Sequence, residues 1–224
     1  MLAIETSQRE GSVAISQLDS SVHCESLHQT KRHDDDLMPA IDRLTRRCGL
    51  TPADLDAVAV SIGPGGFTGL RISISTAKML AETRGVQLVA VPTAQAVAES
   101  LNREGPILVG LAGKSESFWA TRLSRDSNGW TIQTAGLIAQ PADLDLSGVR
   151  AVVADKFLPD WARNLCEQEG VEIAEPVFSA GGCLAAGVRL LAAGQTISSL
   201  ELLPLYPRPP EAVRLWKARR QPAG

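Results

Sequence analysis

The stretch Ser61-Ile62-Gly63-Pro64-Gly65-Gly66-Phe67-Thr68-Gly69-Leu70-Arg71 constrains this chain more than any other part of it. The apolar run Ala57-Val58-Ala59-Val60 leads into it and reads as a short buried strand. Its glycines and proline then impose a tight turn that residues bearing a Cβ would resist. Thr68 is placed to cap a helix running from Gly69 to about Arg84. Strand, glycine turn and helix therefore follow one another, with Gly63, Gly65, Gly66, Thr68 and Gly69 forming the corner. Two readings of that corner are open. It is a seat for an anion at a helix start, or a turn that brings a helix close against a sheet. No Lys-Ser/Thr pair follows the glycines, so the corner is not a Walker loop.

With 224 residues, the chain has length for one large domain or two small lobes with separate cores. A formal charge of −3 gives no electrostatic reason to expect tight nucleic-acid binding by the chain alone. Cys24, Cys48, Cys166 and Cys183 are far apart and form no C-x-x-C pair, which predicts reduced, mostly buried thiols. Met1 runs straight into the strand-like Leu2-Ala3-Ile4, leaving no room for a signal peptide. No uninterrupted apolar run approaches the ~20 residues of a membrane span. These features predict a soluble, cytoplasmic protein without membrane contact.

Along the chain, strands are expected at Leu2 to Thr6, Ser12 to Ser16 and Val22 to Leu27, then a helix from about Asp34 to Cys48. The strand before the glycine corner, the helix after it, a strand at Leu88 to Val91 and a helix from Thr93 to about Leu101 complete a βββαβαβα order. That order partly repeats. Strands are expected at Pro106 to Leu111, Phe118 to Leu123, Trp130 to Leu137 and Ala151 to Ala154, with helices at Trp161 to Glu169 and Leu184 to Ala193. The predicted fold is therefore α/β, two actin-like (ribonuclease H-like, ASKHA) lobes, each a mixed sheet flanked by helices. The expected division is 1–102 for the first lobe, 103–205 for the second, and 206–224 for a Pro-rich, basic tail, docked or loose.

Two helices beside the corner carry surplus apolar surface. Leu37, Ile41, Leu44 and Cys48 form one stripe, which Met38 widens. The next helix has one line through Leu70, Ile74, Ala77 and Ala81, and another through Ile72, Thr76, Met79 and Thr83. A helix lying on a sheet needs only one buried face. The second band either packs between the lobes or, with Leu37, Met38, Ile41 and Leu44, meets the same pair of helices in another chain.

No catalytic constellation is visible. His23, His28 and His33 all precede residue 34, and no serine sits in a G-x-S-x-G elbow. His33, Asp34, Asp35 and Asp36 are consecutive on a first helical turn, where side chains diverge and cannot converge on one ion. They read as a solvated helix start, and no metal or catalytic residue is expected. In actin-like folds two turns usually hold phosphate. Here the candidates are Glu5-Thr6-Ser7 and Gly110-Leu111-Ala112-Gly113-Lys114-Ser115, which retain Glu5, Thr6 and Lys114 as a vestigial nucleotide pocket.

With these residues in hand, the chain resembles the TsaB (YeaZ) family. The resemblance rests on Leu2-Ala3-Ile4-Glu5-Thr6-Ser7, on His33 followed by Leu37-Met38-Pro39, and on the corner from Ser61 to Ile72. It continues through Ala77-Lys78 and Val91-Pro92. Gly66 stands where the family usually has Ser, Ala112-Gly113-Lys114 replaces its Asp-Ala-Arg signature, and Pro207 replaces a Leu in its Tyr-Leu-Arg-Pro ending. The resemblance implies a non-catalytic scaffold subunit for a threonylcarbamoyltransferase paralogue (TsaD-like) that forms threonylcarbamoyladenosine at position 37 of tRNA. It further implies a small P-loop ATPase (TsaE-like) in the assembly, and tRNA reached only through the complex. No cofactor is implied, with nucleotide only at a complex junction, and a homodimer forms without the partner. The rival readings are a stand-alone actin-like ATPase, resting on Glu5, Gly65, Gly66 and Lys114, or a scaffold for a different partner. The basic end, with Arg214, Lys217, Arg219 and Arg220 around Trp216, reads as a solvated tail or as a contact to tRNA phosphates.

Overall fold

The computed structural model describes residues 1–17, 21–28, 33–114, 116–208 and 216, with the backbone alone at 33 and 34. Two five-stranded sheets organise it. The first contains β1 (Leu2–Glu5), β2 (Ser12–Ser16), β3 (Val22–Ser26), β4 (Ala57–Gly63) and β5 (Gln87–Pro92), in the order β3-β2-β1-β4-β5. The second contains β6 (Ile107–Lys114), β7 (Ser117–Asp126), β8 (Gly129–Ala139), β9 (Ala151–Ala154) and β10 (Glu172–Ala174), in the order β10-β9-β6-β7-β8. In each sheet antiparallel hairpins continue into parallel strands. The three-residue β10 was not expected; so short a run carries no periodicity from which to read it.

Among the described residues, five α-helices separate and flank the sheets: α1 (His33–Arg47), α2 (Phe67–Arg84), α3 (Thr93–Glu99), α4 (Asp160–Glu169) and α5 (Ala180–Ala192). Large residues on one face of the first sheet, Leu2, Ile4, Val13, Ile15, Val58 and Val60, pack against Leu37, Ile41 and Leu44 of α1 and Ile74 and Leu80 of α2. The opposite face is lined by Ala3, Ala14 and Ala59, and there α5 lies close through Ala180, Cys183, Leu184 and Ala186. That alternation of large and small residues is the strand period of two, and it decides which helix sits near and which far. A Cβ added at Gly187 would collide with the Ala59 Cβ, and one at Gly182 with the Ala96 carbonyl and Ser100 Oγ. α3 packs through Ala94, Val97 and Ala98 onto Ile107, Val109, Leu111 and Trp130 of the second sheet. α4 covers that sheet's other face with Ala162 and Cys166 against Leu108, Val152 and Ala154.

The layers therefore run α1 and α2, first sheet, α5 and α3, second sheet, α4. Residues 180–205, placed in the second lobe by chain order, return to the first. Besides α5 on its sheet, Leu202 is fully buried in the first-lobe core and Ile197 bridges to Leu88. The chain could not announce this, because an apolar helix fits any apolar sheet face. A polar knot joins the layers between the sheets. Gln95 Nε2 and Arg189 Nη2 both donate to the Trp130 carbonyl, each at 2.9 Å, and Arg189 also pairs with Glu99.

Several boundaries differ from expectation. α2 starts at Phe67, not Gly69; Gly66 is its N-cap, no side chain caps it, and Thr68 lies within the first turn. α5 starts at Ala180, earlier than Leu184, because the Ser179 hydroxyl accepts from the Gly182 amide and caps it. Gly181 and Gly182 are thus helical.

Candidate functional site

The glycine corner is a close contact between two chain segments. After β4, Gly65 lies flush on the β1 tip: an added Cβ would stand 2.6 Å from Ser7 Cβ and 2.8 Å from Ser7 Cα. The Gly66 amide donates to the Ser7 carbonyl at 2.6 Å, and Thr6 Oγ1 donates to the Gly69 carbonyl at 2.9 Å. Of the two readings, close approach of helix to sheet is what these contacts build, and the Gly66 N–H is spent on it. At the tip the Ser7 amide donates to Glu5 Oε1 at 2.6 Å, while Ser7 Oγ is buried without a hydrogen-bond partner among the described residues.

Glu5 and Thr6 are both buried, whereas Lys114 ends β6 as an exposed side chain. Ala112 is the non-glycine residue recorded at positive φ, 52°, among the described residues. A Cβ at Gly113 would collide with the Phe157 carbonyl, so this turn is as crowded as the first-lobe corner. Ser115 lies outside the described residues, as do the side chains of His33 and Asp34.

Asp36 departs from the expected solvated helix start. It is fully buried, accepts from the His28 amide at 2.8 Å and pairs with Arg43 Nη1 at 3.2 Å. Burial opposes its ionisation, but the His28 amide and the Arg43 guanidinium outweigh that and hold its carboxyl below the usual range. Arg43 also pairs with Glu25, so this network ties α1 to the end of β3. Asp35, one residue earlier, is exposed. Among the described residues no group of three or more His, Cys, Asp and Glu could hold a metal ion. Burial, with a smaller push from Glu5, drives the Cys183 thiol far up, which leaves it a core residue and not a nucleophile.

The expected interface residues divide. Leu37, Ile41 and Leu44 are buried in the first-lobe core and offer no surface. The helical stripe was read correctly as apolar, but it faces the chain's own sheet. Met38 and Met79 remain 42% and 44% exposed, with Ile72 and Thr76 half-buried. α1 and α2 lie against each other on the outer face of the first sheet, so their second apolar band does not pack between the lobes. Sequence reasoning missed Phe67, Arg71 and Tyr206, which gather at the start of α2. The Phe67 and Tyr206 rings stack at 5.2 Å, and the Arg71 guanidinium lies 4.0 Å from the Phe67 centroid.

The comparisons with known proteins agree with this architecture. A family model described as TsaD: tRNA N6-adenosine threonylcarbamoyltransferase matches residues 25–139, just over half of the chain. The tRNA threonylcarbamoyladenosine biosynthesis protein TsaB of Bacillus subtilis is 33% identical over 98 residues, 44% of this chain and 43% of that protein. The chain belongs to the TsaB (YeaZ) family. TsaB of Escherichia coli is 29% identical over 146 residues, 63% of this chain and 62% of its own length. The chain thus spans about half the length of the curated relatives it matches. YeaZ from Pseudomonas aeruginosa superposes with a TM-score of 0.77 at 19% identity, covering 92% of this chain and 98% of that one. The two-lobed actin-like fold is therefore that of the TsaB family. No described helix is long and apolar enough to cross a membrane.

Proposed function

We infer that this chain is a non-catalytic scaffold subunit that binds and supports a TsaD-like threonylcarbamoyltransferase forming threonylcarbamoyladenosine at position 37 of tRNA. The observation that carries the reading is the outer surface of α1 and α2. Met38 and Met79 stand exposed on neighbouring helices, flanked by Ile72 and Thr76, while the main apolar stripes of both helices, through Leu37, Ile41 and Leu44 and through Ile74, Ala77 and Leu80, are committed to the core. Flexible, polarisable methionines on helices whose apolar stripes are already buried suit a protein partner better than a small substrate. Membership of the TsaB family supplies the partner's identity. A TsaE-like P-loop ATPase joins the assembly, tRNA is reached through the complex, and without the transferase the same helices pair two copies of the chain. The setting is cytoplasmic.

The test is reconstitution of the tRNA modification from purified transferase and ATPase, with and without this chain. Modification should require the chain, and Met79→Glu should abolish both capture of the transferase and that stimulation while leaving thermal stability intact. Full modification without the chain would overturn the reading. Unaltered capture by both Met79→Glu and Ile72→Glu would remove the helix pair from it.

A further inference from the structure

The last described segment, residues 202–208, runs from the first lobe to the second, and its two ends are held in different ways. The first-lobe end is built in. Leu202 is fully buried, the Leu205 amide donates to the Ile62 carbonyl at 2.7 Å, and the Tyr206 ring stacks on Phe67. Gly63 makes room for it: a Cβ there would stand 2.7 Å from the Leu205 carbonyl oxygen, at a residue whose φ of 113° already favours glycine.

Among the described residues, the second-lobe end is held by one side chain. Arg208 Nη1 donates to the Ala112 carbonyl at 2.9 Å, and Nη2 to the Ser117 carbonyl at 3.1 Å and Ser117 Oγ at 2.8 Å. The Lys114 carbonyl lies 3.5 Å away. Every acceptor belongs to the end of the β6–β7 hairpin, and every one is neutral. A planar guanidinium with its donors in a fixed fork satisfies several such oxygens at once, which a lysine cannot do. The Ala112 oxygen is presented by a residue in the left-handed region, a conformation that only a surrounding contact makes worthwhile for alanine. Tyr206 Oη is buried without a hydrogen-bond partner among the described residues, so the docked segment retains one unsatisfied group.

We propose that residues 202–208 form an interlobe latch whose releasable tooth is Arg208, holding the β6–β7 hairpin against the first lobe. The strap stays with the first lobe when the tooth lets go, because its anchor there is apolar burial and a backbone hydrogen bond. The hairpin end, tied within its own lobe by Trp161 Nε1 donating to the Glu116 carbonyl and, among the described residues, to the strap by the guanidinium fork, gains freedom relative to the glycine corner. The latch thus fixes how the two phosphate-site turns of the actin-like fold face each other in a chain that holds them with its own arginine.

Hydrogen exchange by mass spectrometry on the full chain tests this with Arg208→Ala, Arg208→Lys and Ser117→Ala. Arg208→Ala should speed exchange across 112–117 at least ten-fold while the Leu205 amide and strands β1 and β4 stay as protected as before. Arg208→Lys should remain faster than the parent, and Ser117→Ala should fall between. Unchanged exchange at 112–117 in Arg208→Ala would overturn the latch. So would equal loosening of the hairpin, the strap and β1, because that is general destabilisation. Should Arg208→Ala fail to fold, Ser117→Ala decides: a local rise supports the latch, no change refutes it.

Discussion

Gly65 rests directly on Ser7, so that the turn after β4 and the tip of β1 share one van der Waals surface with no room for a Cβ. Ser7 backbone atoms cannot step aside, since the Ser7 carbonyl is held by Gly66 and its amide by Glu5.

Gly65→Ala should therefore destabilise the protein by about 1–3 kcal/mol, the usual cost of forcing a methyl into a packed site. Gly66→Ser, at the neighbouring N-cap, meets only the Ser7 carbonyl oxygen at 3.5 Å and gains a side-chain cap. It should be neutral or stabilising by a few tenths, roughly the difference between Ser and Gly at that position. Urea unfolding of both variants checks the contrast.

Gly187→Ala sets two effects against each other. Alanine in a helix interior gains about 1 kcal/mol over glycine. The new methyl, however, would overlap the Ala59 Cβ, and neither atom has a rotamer into which to retreat. Overpacking of about 1–3 kcal/mol should win, and the variant should be the less stable. At Gly181, where the nearest atom would be 3.8 Å away, the same change should cost nothing. Denaturation midpoints of the two variants decide it.

Asp36 predicts an acid dependence with a definite sign. Its folded carboxyl titrates below the unfolded value of about 3.9, so its contribution is complete above that pH and fades as pH falls through the folded value. Asp36→Asn should lower stability by about 2 kcal/mol at pH 7, the scale of a charged hydrogen bond. The gap between parent and variant should stay constant from pH 8 to 5 and close below about pH 4. Unfolding free energies across that range provide the measurement.

The thiols should separate by accessibility. Cys24 is exposed, whereas Cys166 and Cys183 are buried, with burial pushing both thiols up. Iodoacetamide on the native protein should label Cys24 and spare Cys166 and Cys183, and all should react in denaturant. Mass mapping of the labelled peptides reads this directly.

Local chemistry by itself determined the described strands other than β10, the helices and the glycine corner, because periods of two and 3.6 and the need for residues without a Cβ act over a few neighbours. It also determined the two-lobe order, and through the corner and the β1 tip it determined the TsaB family. Tertiary structure alone decided which apolar stripes remain surface. Leu37, Ile41, Leu44 and Met38 all lie on the apolar side of α1, and only the seating of that helix on the sheet buries the first three and leaves Met38 exposed. The return of α5 to the first sheet and the reach of Arg208 to Ala112 are likewise contacts between segments far apart in the chain. Hydrophobic burial is non-directional and names no partner, so such pairings exist only once the layers are stacked.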